Sequence, residues 1–136
     1  MNERLKNKFK NLTNALNRLK EVLENKDTEF TIKRDSTIQR FEFTIELFWK
    51  FLKTYMEEMG VNEESIKFPR DILVKSYENN LITDEKVWIN MMFDRNKTSH
   101  IYDEEEANKI YHNIENNYFP VMRDNYESIK KRLELL

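Results

Sequence analysis

Apolar residues recur along most of this chain at alternating steps of four and three. Leu5, Phe9, Leu12, Leu16, Leu19 and Leu23 form the first such run, a spacing that keeps one stripe on one face of an α-helix. The stripe is lost from Asn25 to Lys33, which reads as a connection. It resumes at Ile38, Phe41, Ile45, Phe48, Leu52, Tyr55 and Met59 and predicts a second helix from Asp35 to Met59, with Gly60 as its stop signal. Pro69, acceptable in a first turn, opens a short third helix carrying Ile72, Leu73 and Tyr77, which ends at Asn79-Asn80. Thr83 offers the cap of a fourth helix with Val87, Trp88, Met91, Met92 and Phe93 on it. Asp103, with Glu106 three residues on, resembles a capping box and starts a fifth. The stripe of that last helix runs through Ala107, Ile110, Tyr111, Ile114, Tyr118, Val121, Tyr126, Ile129 and Leu133, and Pro120 should kink it.

The second helix carries more apolar surface than one stripe explains. Phe43, Leu47, Trp49 and Phe51 lie off its main seam. A helix apolar around so much of its circumference is sandwiched, either among several neighbours of its own chain or between two subunits. The pattern alone leaves both arrangements open.

Composition supports helices and narrows the chemistry. A single Gly and two Pro in 136 residues starve the chain of the turns that sheets require. The expectation is therefore all-α: an antiparallel up-and-down bundle of four main helices plus a short one, with residues 1–136 forming one domain. Cysteine is absent, which rules out a disulfide framework or a thiolate site. The start leads into no apolar run of signal-peptide length, and no stretch has the apolar length of a membrane span, so the chain reads as soluble and cytoplasmic, with no membrane contact. A net charge of -2 exerts no global pull on nucleic acid. Arg4, Lys6, Lys8 and Lys10 make the start of the first helix locally basic, a pattern that serves solubility as readily as binding.

One stretch concentrates chemistry. Arg95-Asn96-Lys97-Thr98-Ser99-His100-Ile101-Tyr102 gathers a guanidinium, an amide, hydroxyls, an imidazole and a phenol within eight residues. Arg is a permanently charged fork that can grip two phosphate oxygens, and His moves protons near neutrality. On an unbroken helix five residues turn the direction by roughly 140°, so the two side chains would point apart. Asn96, Thr98 and Ser99 compete for backbone hydrogen bonds, which predicts a break near Thr98 that lets Arg95 and His100 face one cleft. The plainer alternative is that Arg95 pairs with Asp94 or a nearby Glu while His100 caps a helix end. Metal ligation is poorly served, since His112 lies twelve residues from His100 and the Asp103 to Glu106 run is a helix cap. With Gly60 the only glycine there is no phosphate-cradling loop, and no cofactor is expected.

Arg-Asn, four residues between Arg and His, and a Tyr two residues beyond that His resemble the HEPN family. The likeness is to its prokaryotic branch encoded beside minimal nucleotidyltransferases. The flanking Trp88-Ile89-Asn90-Met91-Met92-Phe93-Asp94 and Asp103-Glu104 also resemble the subgroup called nucleotidyltransferase substrate-binding proteins, or HepT-like toxins. What the resemblance implies is a homodimeric bundle with two motifs near the twofold axis, acting as a metal-independent ribonuclease toxin and neutralised by a nucleotidyltransferase encoded nearby. On this chain Arg95 would hold the scissile phosphate of RNA, Asn96 would orient it and His100 would transfer protons. Tyr102 matches the tyrosine that takes AMP in some related pairs, though a phenol there also serves simply to pack at a helix start.

Two functional classes stay open on the sequence: a ribonuclease that its partner silences, and a non-catalytic subunit that presents a substrate to a nucleotidyltransferase. An open site with Arg95 and His100 exposed favours the first, and burial of His100 in a dry core favours the second.

Overall fold

A computed structural model describes residues 2–100 and 103–135, and within them every regular element is helical. Helix α1 (Glu3–Glu24) begins where the Asn2 carboxamide accepts the Leu5 amide at 2.8 Å, and it buries Leu5, Leu12, Leu16, Leu19 and Val22. Its last turn gives way to a turn around Asn25, whose side-chain oxygen accepts from the amides of Asp27 and Thr28 at 2.9 and 3.1 Å.

Helix α2 (Phe30–Glu58) starts five residues earlier than the apolar stripe predicts. Two local features explain the extension. The Glu29 carboxylate accepts the Thr31 and Ile32 amides at 2.9 and 3.3 Å, which satisfies free donors of the first turn. The Phe30 ring then packs edge-on against Tyr111, centroids 5.4 Å apart, so this turn serves a different neighbour from the one the stripe serves. At its other end Gly60 takes φ +86, the Gly60 amide reaches the Glu57 carbonyl and the Val61 amide reaches the Met56 carbonyl, a Schellman ending. Asn80, at φ 61, closes α3 (Pro69–Glu78) in the same way, with the Leu81 amide on the Ser76 carbonyl. Here Ser76, not Tyr77, is the inward residue; Tyr77 is exposed.

Helix α4 (Glu85–Lys97) is capped by Asp84 in a left-handed conformation, not by Thr83. Thr83 is drawn off the end by Asn125, whose side-chain oxygen accepts its amide at 2.7 Å. Asp103 caps α5 (Glu104–Asn113) as predicted, accepting the Glu105 and Glu106 amides at 2.8 and 3.2 Å. Helix α5 then passes through a π-helical turn, Ile114–Tyr118, into α6 (Phe119–Glu134). The cause is Pro120, which has no N–H to return to the preceding turn; the ladder slips instead, and the Phe119 amide reaches back five residues to Ile114. The proline's effect is thus a widened turn just ahead of it.

Contacts fix the directions of the helices. Arg40 reaches the Arg18 carbonyl, Thr44 that of Ala15, and Glu57 stands 3.7 Å from Arg4, so α1 and α2 run antiparallel. Arg34 meets Glu104 and Asn108 while Phe41 stacks on Tyr118, so α5 runs alongside α2 in the same sense. Helix α2 is the central element, touching α1, α3, α4 and α5. That neighbourhood absorbs part of its surplus apolar surface: Phe51 is buried beneath Phe9 and Tyr55, and Trp49 packs against the core. Phe43 stays 55% exposed, as does Phe93 of α4 at 53%. Among the described residues no helix is long and apolar enough to cross a membrane.

Candidate functional site

The Arg95–His100 segment sits where α4 ends. The helix does break at Thr98: residues Thr98–His100 tighten into a 3-10 turn, and both the amide and the hydroxyl of Thr98 fold back onto the Arg95 carbonyl, the hydroxyl at 2.7 Å. His100 is exposed on that turn and Asn96 is exposed one turn before it. Lys97 and Arg95 in the last turn also suit the negative end of the helix dipole. His100 is therefore reachable by a ligand, which meets one half of the condition that favours an enzyme over a scaffold. Ile101 and Tyr102 lie outside the described residues, and with them the predicted modification site.

Arg95 is placed differently from His100. Its Nη2 lies 3.3 Å from the Glu46 carboxylate of α2, with the two side chains 26% and 37% exposed. The Arg95 Nε is shielded and has no hydrogen-bond partner, at a typical cost of about 1–3 kcal/mol when a donor is truly dry. Of the plainer alternative, pairing with Asp94 or a nearby Glu, the structure shows a Glu partner, brought close by the fold and not by sequence. Asp94 instead accepts the Tyr118 hydroxyl at 2.5 Å. Burial, and then the Asp94 carboxylate, push the Tyr118 phenol well above its ordinary range, so it remains a protonated donor. These two contacts tie the last turn of α4 to two neighbours, Asp94 to the π-helical turn and Arg95 to α2.

Two clefts flank the turn. The first, about 370 Å³, is lined by Arg34, Asp35, Ile38, Thr98, Asp103, Glu104 and Ala107. The second, about 310 Å³, has Asp94 and Lys97 on one wall and Asp103, Glu105, Glu106 and Lys109 on the other. Among the described residues, neither cleft is lined by Arg95 or His100. Arg34 was invisible to periodicity, yet it is only 5% exposed. Its guanidinium bonds Asp35 at 2.9 Å, Asn108 at 3.0 Å and the Glu104 carboxylate, which ties the start of α2 to the start of α5. The hydrogen bonds it donates to Glu104 and Asp35 hold it charged more firmly than an ordinary arginine. An Arg on an otherwise apolar face one turn before Ile38 was the available signal. Among the described residues no three Asp, Glu or His side chains converge as metal ligands.

The described residues form an all-helical bundle, and this fold is shared with proteins already known. Residues 7–131 match the family described as nucleotidyltransferase substrate binding protein like, and this chain belongs to that family. It is 36% identical over 80 residues to the Probable ribonuclease HepT of Haemophilus influenzae, a match that spans 57% of this chain and about half, 55%, of that protein. A crystal structure from Thermus thermophilus shares the fold at TM-score 0.72 and 31% identity, covering 90% of this chain and 98% of that one. A tri-AMPylated HEPN toxin of Shewanella oneidensis, in complex with its MNT antitoxin, superposes at TM-score 0.70 and 21% identity over 96% of this chain and 99% of its own.

Proposed function

We propose that this chain, acting as one HEPN-like domain, is a metal-independent ribonuclease and the toxin of a pair whose antitoxin is a nucleotidyltransferase. The observation that carries the reading is the exposed His100 on a turn directly after the helix that presents Arg95, in a chain of this family. RNA brings its own nucleophile. When the 2′-hydroxyl loses its proton, its oxygen attacks phosphorus, the bond to the 5′-oxygen breaks, and that oxygen takes up a proton. The products are a 2′,3′-cyclic phosphate and a free 5′-hydroxyl. Arg95 holds the phosphate and neutralises its growing charge, Asn96 orients it, and His100 handles a proton.

Two proton transfers need two groups, and one motif supplies a single His. A homodimer that brings two motifs together supplies the second, and the exposed Phe43 and Phe93 leave apolar surface for it to cover. Such a pair works in the cytoplasm, where RNA and ATP are found. The AMP carried by the Shewanella oneidensis toxin supports Tyr102 as the acceptor of AMP from the partner. An adenylated phenol two residues from His100 adds a bulky anion that competes with RNA phosphate for the site.

The Arg95–Glu46 pair is the one observation that favours the other reading, a non-catalytic substrate-binding subunit. Incubation with RNA in EDTA separates the two. The ribonuclease cleaves in chelator, while His100→Ala and Arg95→Ala abolish cleavage and growth inhibition. Cleavage that survives either substitution, or a parent that never cleaves, removes the assignment. Co-expression with the partner and intact-mass spectrometry test the switch: AMP adducts on the parent and none on Tyr102→Phe are expected, and equal labelling of both overturns it.

A further inference from the structure

Glu46 has no part in any motif, yet it holds the cation on which the proposed chemistry depends. It projects from the middle of α2, forty-nine residues before Arg95, and its Oε1 accepts from Arg95 Nη2 at 3.3 Å. The neighbouring Nε of the same guanidinium is buried and unpaired. Nε and Nη2 share one edge of the planar fork, so that edge is the one turned to α2 and the interior, half of it bonded. Among the described residues Nη1 has no partner, and the Arg95 side chain is 26% exposed. A small approach by Glu46 would place its second oxygen on Nε and complete a bidentate pair.

We propose that Glu46 is a positioning residue for Arg95: it clamps the inner edge of the guanidinium so that the outer end, with Nη1, faces the phosphate in a fixed direction. This inference rests on the ribonuclease reading for its substrate but not for its geometry. A long arginine without a clamp samples many rotamers, and a cation that must meet a developing charge works best when its orientation is set beforehand. The carboxylate has an opposite effect on binding, because it partly neutralises the cation and repels an incoming phosphate. A clamp therefore weakens ground-state binding while it speeds turnover. A simple cover over Arg95 would weaken both, and a residue needed only for folding would lower stability along with everything else.

Those signatures separate in Glu46→Ala and Glu46→Gln. In Glu46→Ala, kcat on a single-stranded RNA should fall about tenfold to a hundredfold, the range for a modest misplacement of a reacting group. KM should stay level or fall, and thermal unfolding should stay close to the parent. Glu46→Gln keeps a hydrogen-bond acceptor and should recover part of the lost kcat. Nuclear magnetic resonance of the arginine Nε–Hε groups gives a readout independent of cleavage. The Arg95 signal, assigned through Arg95→Ala, should be protected from exchange in the parent and averaged in Glu46→Ala, while inorganic phosphate should shift it at lower concentration in that variant. A kcat at or above the parent value in a folded Glu46→Ala chain overturns the proposal, as does an Arg95 signal indifferent to the substitution. If the parent cleaves no RNA, the ribonuclease reading falls and the resonance arm still decides the clamp.

Discussion

The α1–α2 hairpin and the α4–α5 junction are built from different forces. The hairpin buries Leu12, Leu16 and Leu19 against Ile45, Phe48 and Leu52, and its polar links, such as Thr44 on the Ala15 carbonyl, are few and secondary. Its stability is apolar area removed from water, which is indifferent to small shifts in direction. The junction has less of this reserve: among the described residues Met91 and Ala107 are the buried apolar residues nearest to it in sequence. It is held by oriented polar contacts: Arg34 with Asp35, Glu104 and Asn108, Arg95 with Glu46, Asp94 with Tyr118, and Thr98 on its own helix. Among the described residues, helix α4 also carries two of the three buried side-chain polar atoms that lack a partner, Trp88 Nε1 and Arg95 Nε. Stability and orientation thus rest on different contacts: the hairpin on apolar area, the junction on polar groups whose directions are fixed even where the pairing is incomplete.

This division is broken most directly by substitutions that remove side chains of similar size from each region. Leu19→Ala, at a fully buried position, should cost about 3 kcal/mol by urea denaturation, within the range for leucine truncation in a core. Arg34→Ala should cost less, about 1–2 kcal/mol, even though Arg34 is 5% exposed. The reason is that its carboxylate partners Asp35 and Glu104 are 68% and 77% exposed, so water takes over their solvation and no charge is left stranded. Equal losses would show that the junction is part of the structural core. The site substitutions lie lower still: His100→Ala and Arg95→Ala should stay within about 1 kcal/mol of the parent while cleavage disappears.

The same division governs what could be read from the sequence. Apolar burial repeats with the helix, so most of the stripes of α1, α2 and the last helix were legible, although Val22, Met56 and Met122 take the inward places expected of Leu23, Met59 and Val121; the Asp103 cap, local in sequence, was legible too. The break at Thr98 was legible for the same reason, because it arises from side chains folding onto their own backbone. Contacts between residues far apart in sequence leave no periodic trace. Glu46 and Arg95 are forty-nine residues apart, Arg34 and Glu104 seventy, and Asp94 and Tyr118 twenty-four. Apart from Arg95, which its motif marks, each of these residues looks in the sequence like an ordinary surface charge or a stripe aromatic. The cap of α4 was missed similarly, since Asn125 of the last long segment decides it, and the early start of α2 rests in part on Tyr111 and in part on the local Glu29 cap, which the apolar stripe does not report.

The Asp94–Tyr118 bond sharpens the comparison at the smallest scale, because it joins the junction to the core. Tyr118 is 5% exposed and its ring stacks on Phe41, while its hydroxyl reaches Asp94 beside Arg95. Tyr118→Phe keeps the stacking and deletes one hydrogen bond to a charged group, which should cost about 1 kcal/mol once the partial exposure of Asp94 is allowed for. The alkaline side gives a cleaner signature. The Tyr118 phenol titrates above the unfolded value of about 10, so the stability it adds is fully present below pH 10 and is lost as pH rises through the higher folded value. Burial raises Tyr111 in the same direction, with Glu115 adding to it, so two phenols should ionise late. Ultraviolet titration of phenolate in the folded chain should therefore show a delayed alkaline phase, and Tyr118→Phe should remove its latest part while leaving the rest. A titration curve unchanged by the substitution would mean that the hydroxyl is solvated, and that the turn bearing Arg95 is anchored to α2 alone.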